Sequence, residues 1–299
     1  MLKLKTTFFG SAMLLCFSFV AKAQTPISGF YPQKNSFTIA MSYSNKSYDK
    51  FYRGATLTDT NPANLGEISS SIVSVYGEYG INNWLSAIAS FPYISVKSGE
   101  GNVDPVHQKS KVSGIQDLSL FLKARLFEKN FDDGGKFSFG GSTGISFPLS
   151  NYEGNGILSV GNKATAIDGL VVAQYTTNFN LFAELQSGYS IRSNSDFTIP
   201  NALLYSVKLG YYNEWIYAHA KLGIQDATSG YDIGSAEFGA NGGPLALSQT
   251  EVDYTNFSFD VYVPVFKHNF GFSAGYGFNL DGRNFGNERG FSLGLVYKN

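Results

Sequence analysis

The sequence predicts an all-β fold: a closed antiparallel transmembrane β-barrel of about 12 strands, with short periplasmic turns and long extracellular loops. Three observations predict it. Apolar and polar side chains alternate along the chain, short and long connections follow each other in turn, and the composition is rich in aromatic residues and glycine but poor in charge. Alternation with a period of two indicates strands with one apolar face. In hydrocarbon a closed barrel pairs every backbone N–H and C=O without a helix.

The composition separates this chain from an average soluble domain. Aromatic residues reach 16% and charged residues only 15%, whereas charged residues make up about 25% of a typical soluble domain. No run of 18 or more apolar residues follows Gln24, so the sequence predicts no membrane-spanning helix. The chain therefore fits a membrane protein that crosses the bilayer with strands.

Residues 1–23 have the pattern of a secretory signal peptide. Lys3 and Lys5 form a basic start, residues 8–20 an apolar core, and Ala21-Lys22-Ala23 a small-residue cleavage site. This pattern predicts cleavage after Ala23 and export across the inner membrane. For a barrel, the expected location is the cell outer membrane.

The mature chain excludes several classes of function. Its single cysteine, Cys16, lies in the signal segment, so disulfides, thiolate metal sites and cysteine nucleophiles are excluded. Because the signal segment also holds three lysines, 19 Lys and Arg remain against 23 Asp and Glu. The resulting net charge of about −4 argues against nucleic acid as a partner.

The alternating segments define the expected barrel domain, residues 36–299, after a short periplasmic lead-in at 24–35. In chain order the twelve segments are 37–43, 73–79, 85–93, 118–126, 137–147, 167–177, 181–191, 203–211, 216–224, 257–265, 270–278 and 291–297. An even number of strands places both ends of the barrel on the periplasmic side.

The connections between these segments alternate in length. Short connections contain turn residues, at 81–83, 178–180, 213–214 and 267–269. Long connections rich in Gly, Asn, Ser and Asp span about 45–67, 97–113, 150–166, 226–248 and 279–288. A secreted β-sandwich is the alternative, since its strands also have one apolar face. Strand length, the asymmetry of the connections and the signal peptide favour the barrel.

Nine charged or titratable residues lie on the polar phase of their strands and are the candidate lumen-lining residues. They are Asp117, Lys123, Arg125, Asp168, Glu184, Lys208, His219, Lys221 and Asp260. In one interpretation they form ion pairs that stiffen the barrel; in another they set the field of a pore and steer a solute. A barrel of twelve strands lies between filled eight-stranded barrels and wide porins, so both interpretations stay open.

The sequence predicts no enzyme, no metal site and no cofactor. Of the three histidines, His107 lies in a loop, His268 in a short turn and His219 in the middle of a strand. These positions differ in height along a barrel, which argues against a shared metal site. A barrel hydrolase would need a serine near a histidine on the outer face. Gly-x-Ser-x-Gly occurs at 140–144, 271–275 and 290–294, but these residues fall in alternating strand segments and not at the strand-to-helix turn of a nucleophile elbow.

Three short motifs resemble one family of outer-membrane proteins. Residues 79–85 (YGINNWL), residues 114–118 (GIQDL) followed by Lys123, Arg125 and Leu126, and residues 144–152 (GISFPLSNY) are similar to the MetA-pathway phenol-degradation family. The resemblance runs from about residue 70 to the end of the chain. It implies a barrel that transports aromatic or other hydrophobic small molecules.

The function expected from these observations is an outer-membrane channel or transporter that admits a small solute by passive diffusion through its lumen. The expected partners are outer-membrane lipid, the outer-membrane assembly machinery and this solute. The alternatives are a closed barrel that presents its extracellular loops to partners and, less favoured, an outer-membrane lipid hydrolase.

Overall fold

The computed structural model describes residues 27–265 and 269–299. The signal peptide, residues 24–26 of the lead-in, and His268 lie outside the described residues. The wall strands are β1 (Phe37–Tyr48), β4 (Ile68–Gly80), β5 (Leu85–Lys97), β7 (Asp117–Asn130), β8 (Lys136–Pro148), β9 (Thr165–Thr176), β10 (Leu181–Ser193), β11 (Ala202–Tyr212), β12 (Tyr217–Ala227), β13 (Asp253–Val265), β14 (Phe270–Arg283) and β15 (Arg289–Lys298).

These strands close into one antiparallel barrel, which confirms the predicted fold class and strand number. Each strand pairs with its neighbour in sequence from β4 through β15, and β15 pairs with β1, which pairs with β4. The ring therefore has no free edge, and every wall strand has a partner on both sides. Strand β6 (Lys111–Ile115) is a short extension that precedes β7, and both pair with β5.

The connections carry the remaining elements. The loop after β1 holds a small hairpin, β2 (Phe51–Arg53) and β3 (Thr56–Thr58). A 3₁₀ turn at Gly99–Gly101 follows β5, and the loop between β12 and β13 contains helix α1 (Ala236–Ala240) and a 3₁₀ helix at Gly243–Gln249. In the described residues no helix has the length and apolar character needed to cross a membrane.

Alternation along each strand places apolar side chains outside the barrel and polar or small ones inside. In β7, Leu120 and Leu122 are exposed on the outer face, while Phe121 and Lys123 are buried inside. The register shifts between Arg125 and Phe127, where a bulge interrupts the pairing of β7 with β8. Beyond this bulge two consecutive apolar residues, Leu126 and Phe127, are both exposed.

Two of the short turns share an Asn-x-Trp pattern that explains their shape. The Asn82 side-chain oxygen accepts hydrogen bonds from the backbone N–H groups of Trp84 and Leu85, both 2.9 Å. Asn213 does the same for Trp215 and Ile216, at 2.8 and 2.9 Å. Asparagine side chains commonly close turns in this way. Both tryptophans are exposed beside the turn, as aromatic residues at a membrane interface are.

The first part of the segment before β1 packs inside the barrel. Residues 27–32 are all buried, and Ile27 and Phe30 belong to an apolar cluster with inward-facing residues of the wall, including Tyr76, Phe121 and Tyr217. The segment therefore occupies the end of the lumen next to the short turns. The physical reason is that apolar side chains in a barrel of this size can be buried by filling the interior.

Candidate functional site

The lumen is the candidate functional site, and the structure places the nine sequence-derived candidates along it. Seven of them are buried inside the wall: Lys123, Asp168, Glu184, Lys208, His219, Lys221 and Asp260. Asp117, the first residue of β7, and Arg125, in the second half of the same strand, are partly exposed. The nine candidates belong to different groups: Asp117 and Asp168 line a cavity, Lys123 and Arg125 lie beside the Tyr31 ring, and the other five lie on β10 to β13.

A polar group centred on Glu184 lies near the short-turn end of the lumen. The Lys208 ammonium, on the neighbouring strand, lies 2.8 Å from Glu184 Oε1. The Gln186 side chain donates to the same oxygen at 2.6 Å, and the backbone N–H of Gly29 donates to Oε2 at 2.8 Å. Glu184 therefore joins the wall to the N-terminal segment, and its charge is compensated inside the barrel.

A second group lies on the adjacent strands. Lys221 is directly opposite Lys208 in the pairing of β11 with β12, and His219 is opposite Asp260 in the pairing of β12 with β13. His219 Nε2 lies 3.5 Å from Asp260 Oδ2, and the Ser258 hydroxyl donates to the same oxygen at 3.0 Å. The contact of His219 with Asp260 links β12 and β13 through side chains as well as through the backbone.

Lys123 holds the N-terminal segment from the other side. Its ammonium forms an ion pair with Glu78 at 2.8 Å and donates to the carbonyl oxygen of Phe30 at 2.6 Å. It also lies 4.7 Å from the centre of the Tyr31 ring, and the Arg125 guanidinium lies 5.5 Å from the same centre. Cations over aromatic faces add electrostatic attraction to this anchoring.

The N-terminal segment fits against the wall through aromatic contacts and one small residue. The Phe30 ring meets those of Phe182 and Tyr217 edge to face, with centroids 5.2 and 5.9 Å apart. The Tyr31 hydroxyl donates to the carbonyl of Ala124 at 3.2 Å and lies over Gly140. A Cβ at Gly140 would come within 2.0 Å of that hydroxyl oxygen, so only glycine allows this approach.

A cavity of about 420 Å³ occupies the half of the lumen next to the long loops. Its wall includes seven serines from six strands and five charged side chains, Lys46, Asp117, Asp168, Arg192 and Glu288. Loop residues such as Ile157, Val160, Ile199 and Leu247 cover it from outside. The cavity thus lies between the N-terminal segment and the external loops.

The loops that cover the cavity are tied to each other. The fully buried Asp104 carboxylate accepts hydrogen bonds from the backbone N–H groups of Leu158, at 2.7 Å, and Val106, at 2.8 Å. The imidazole of His107 contacts the carbonyl of Leu158 at 2.9 Å. Leu158 and Val160 are themselves fully buried in an apolar cluster with Leu65. Residues 149–164 therefore form a fixed cover, which we call the covering loop.

A second tie joins the loop after β12 to the end of β14. The Arg283 guanidinium forms two hydrogen bonds to the Asp232 carboxylate, at 2.7 and 2.8 Å, and one to Glu251 at 2.8 Å. Asn284, in the left-handed region at φ 50°, accepts from the backbone N–H groups of Gly54 and Ile233, both at 2.9 Å. The Asn284 side-chain amide also donates to Asp232 Oδ1 at 3.0 Å. The hydrogen bonds from Arg283 and Asn284 lower the pKa of the Asp232 carboxyl.

The sequence analysis missed several residues that matter for this lumen. Glu78, Lys46 and Arg192 lie inside the wall, although none was among the candidates. The alternation could have predicted that these side chains point inward. Glu78 precedes the outward-facing Tyr79 and Arg192 follows the outward-facing Ile191, so each belongs to the opposite face of its strand. The burial of residues 27–32 left no comparable signal, because it depends on contacts with distant strands.

The histidines lie apart from one another in the part of the chain that the structure describes. His107 lies in a loop and His219 inside the wall, and residues 27–265 and 269–299 contain no group of three or more His, Cys, Asp or Glu arranged to hold a metal ion. His219 faces Asp260 inside the barrel rather than the outer surface.

A closed ring of twelve antiparallel strands, apolar outside and polar inside, defines the fold of an outer-membrane β-barrel. Among solved structures, an outer membrane channel from Pseudomonas putida F1 matches with a TM-score of 0.72 and 13% identity, over 93% of this chain and 100% of that one. The NanC porin matches with a TM-score of 0.49 and 10% identity, over 87% and 98%. The translocator domain of the autotransporter NalP from Neisseria meningitidis matches with a TM-score of 0.44 and 13% identity, over 89% of this chain and 90% of that one.

The first of these likenesses supports the fold at the level of the whole chain. No protein-family model matches the sequence, and neither does any curated protein. The resemblance to the MetA-pathway family stays a prediction from the short motifs.

Proposed function

We propose that this protein is an outer-membrane channel that passes small solutes by passive diffusion through its lumen. The observation that carries the proposal is the cavity of about 420 Å³ inside the barrel, lined by hydroxyl groups and charged side chains. An interior needed only for mechanical stability would be expected to be filled, since close packing gives the most favourable contacts. The likeness to an outer membrane channel adds support.

In this proposal the nine lumenal candidates have three roles. Asp117 and Asp168 line the cavity and would contact the solute. Lys123, Arg125 and Glu184 hold the N-terminal segment. Lys208 stabilises the wall by pairing with Glu184, and His219 by its contact with Asp260, while Lys221 lies opposite Lys208. The motif resemblance implies aromatic or other hydrophobic solutes, and we adopt this class as part of the proposal. Export by the signal peptide and insertion by the outer-membrane assembly machinery would deliver the barrel to its membrane.

Solute uptake into liposomes that contain the purified mature protein tests the channel. The proposal predicts uptake of small solutes above that of empty liposomes, and faster uptake by a variant that lacks residues 27–33. The deletion removes the segment that contacts Lys123 and Glu184 in the lumen. As a matched control, Glu214→Gln changes an exposed acid in a short turn and should leave the uptake rate unchanged.

A closed barrel that presents its loops is the second candidate. It is favoured by the buried N-terminal segment in the lumen next to the short turns and by the covering loop over the cavity. If the folded wild type and the folded deletion variant both exclude every small solute, the channel proposal fails and this candidate replaces it.

A further inference from the structure

We propose that the lumenal cavity is a binding site for an uncharged small molecule with hydroxyl or carbonyl groups on one side and an apolar surface on the other. The inference rests on the proposed channel function and adds to it the chemical class of the solute and the place where it binds. It follows from three features of the lining: compensated charges, a wall of hydroxyl groups and an apolar cover.

The first pair of charges in the cavity is compensated across neighbouring strands. Lys46 Nζ, on β1, lies 3.6 Å from Glu288 Oε2, just before β15. Their side chains are only 11% and 21% exposed. On the other side, the Tyr152 hydroxyl of the covering loop donates to Asp117 Oδ1 at 2.6 Å. These three charged groups therefore already have partners in the wall or its cover.

Arg192 and Asp168 are joined through a serine. Arg192 donates from Nη2 to the Gln225 side-chain oxygen at 2.8 Å and from Nε to the Ser190 hydroxyl at 3.2 Å. The same serine side chain hydrogen-bonds the Asp168 carboxylate, which is buried. The guanidinium and the carboxylate thus stabilise each other through Ser190, and both are held by the wall.

The partners of these charged groups disfavour an ionic solute. An ion that enters the cavity loses hydration, and this loss is offset only if a counter-ion in the site is free to pair with it. Each of the five charged groups in the lining already contacts a wall or loop partner. A charged solute would have to break one of these contacts, whereas an uncharged solute would not.

The hydroxyl groups of the wall suit an uncharged polar solute. The lining serines are Ser44, Ser70, Ser74, Ser90, Ser119, Ser146 and Ser190. A serine hydroxyl can donate one hydrogen bond and accept others, so a surface of serines matches solute groups of either kind. Ser119 and Ser146 show the adaptability directly, since their hydroxyls bond each other at 2.8 Å across β7 and β8.

The cover supplies the apolar side. Ile157 and Val160 of the covering loop, together with Ile199 and Leu247 from two other loops, face the same cavity. The volume of about 420 Å³ lies within the range of about 300–1,000 Å³ for small-molecule sites. A molecule that fits this lining has polar groups toward the strands and an apolar surface toward the loops.

Three probes with the same ring and different charge test the inference: cyclohexylmethanol, cyclohexanecarboxylate and cyclohexylmethylammonium at pH 7. Their dissociation constants are measured by calorimetry on the full mature protein in detergent. We expect the alcohol to bind at least about tenfold more tightly than either ion. Equal or tighter binding of an ion, or no binding of the alcohol, would overturn the proposal.

Two variants check that the cavity is the site. Glu288→Gln removes the partner of Lys46 and should raise the affinity for the carboxylate relative to the alcohol. Asp168→Asn leaves Arg192 without its carboxylate and should shift the preference in the same direction, which provides a second reading if one variant does not fold. The control Glu214→Gln, at the opposite end of the barrel, should keep the wild-type ratio. An unchanged ratio in both folded cavity variants would place the probe elsewhere and contradict the proposal.

The same probes separate this inference from the channel function. If the alcohol binds as expected but does not cross liposomes that contain the protein, the binding site stands and passive diffusion fails. If the alcohol crosses but calorimetry detects no cavity-dependent binding, the channel stands and the proposed site fails.

Discussion

The Lys123 ammonium on β7 lies 2.8 Å from the Glu78 carboxylate on β4, although β5 separates these two strands in the wall. Both side chains are fully buried. Glu78 also accepts hydrogen bonds from the hydroxyls of Ser86, at 2.7 Å, and Tyr76, at 3.1 Å. Together with the bond from Lys123 to the Phe30 carbonyl, this pair connects three wall strands to the N-terminal segment.

Breaking this ion pair from one side should destabilise the barrel strongly. Lys123→Met leaves the Glu78 carboxylate buried without its counter-ion, and such a change costs about 3–5 kcal/mol in the free energy of unfolding. The double variant Glu78→Gln/Lys123→Met should recover much of this loss, because it leaves no uncompensated charge. Denaturant unfolding of the protein in lipid vesicles measures both values.

The control for the ion pair is Lys129→Met, which removes an exposed lysine from the same strand. Its contact is with the ring of Phe131 at 5.2 Å, near the water, and its loss should change stability little. Additive effects of the Glu78 and Lys123 substitutions in a double-mutant cycle would contradict the assigned coupling.

The same pair shows what the sequence could and could not predict. The alternation in β7 predicts that Lys123 has the opposite phase to Leu122, because the period of two is a local property of a strand. Local patterns do not tell which distant residue meets it, since β4 and β7 are not neighbours in the wall. The N-terminal segment is the extreme case: Gly29 and Glu184 are 155 positions apart in sequence. Twelve strands could therefore be predicted, and the filling of the lumen could not.

The outward face of β7 gives a prediction about the membrane. Leu122 is 51% exposed on the outer face, so Leu122→Arg would place a charge in contact with lipid. The cost is about 2–4 kcal/mol at the middle of the bilayer and smaller toward its surfaces. Folding yield into vesicles and the free energy of unfolding measure this cost.

Leu57→Arg, in the external hairpin, is the control and should have little effect, since Leu57 lies in a loop that faces water. Equal losses in the two variants would contradict the lipid-facing assignment.

The Asp104 carboxylate should control how firmly the covering loop is held. Asp104→Ala removes the acceptor for the backbone N–H groups of Leu158 and Val106. Hydrogen bonds to charged groups contribute about 1.5–3 kcal/mol each, so the loop should open more often. Amide hydrogen exchange of residues 149–164 should become faster, while the wall strands keep their protection.

Gly156 offers an independent check on the same contact. It has a φ of 92°, and a Cβ there would come within 2.9 Å of Asp104 Oδ2. Gly156→Ala should therefore accelerate exchange in the same loop, through strain and displacement of the carboxylate. Gly101→Ala has a similar positive φ but no atom near the added Cβ, which makes it the matched control. Protection of the loop that survives both Asp104→Ala and Gly156→Ala would show that other contacts hold it.

The tie between Asp232 and Arg283 predicts how the external loops respond to acid. The hydrogen bond from Arg283 lowers the pKa of the Asp232 carboxyl below its usual range. A carboxyl whose pKa is lower in the folded state stabilises that state above its unfolded pKa of about 3.9 and loses this contribution as the pH falls further. Glu251, on the same guanidinium, has a raised pKa because of burial, so its protonation begins at a higher pH and does not destabilise the loop.

We therefore expect protection of residues 228–252 to be constant or slightly greater at pH 5 than at pH 7, and to fall only below about pH 4. Amide hydrogen exchange at pH 7, at pH 5 and below about pH 4 measures this protection. The comparison is Asp232→Asn, which lacks the charge. This variant should show weak protection at pH 7 and no further loss in acid. A loop that loses protection between pH 7 and pH 5 in the wild type would contradict the assigned role of Asp232.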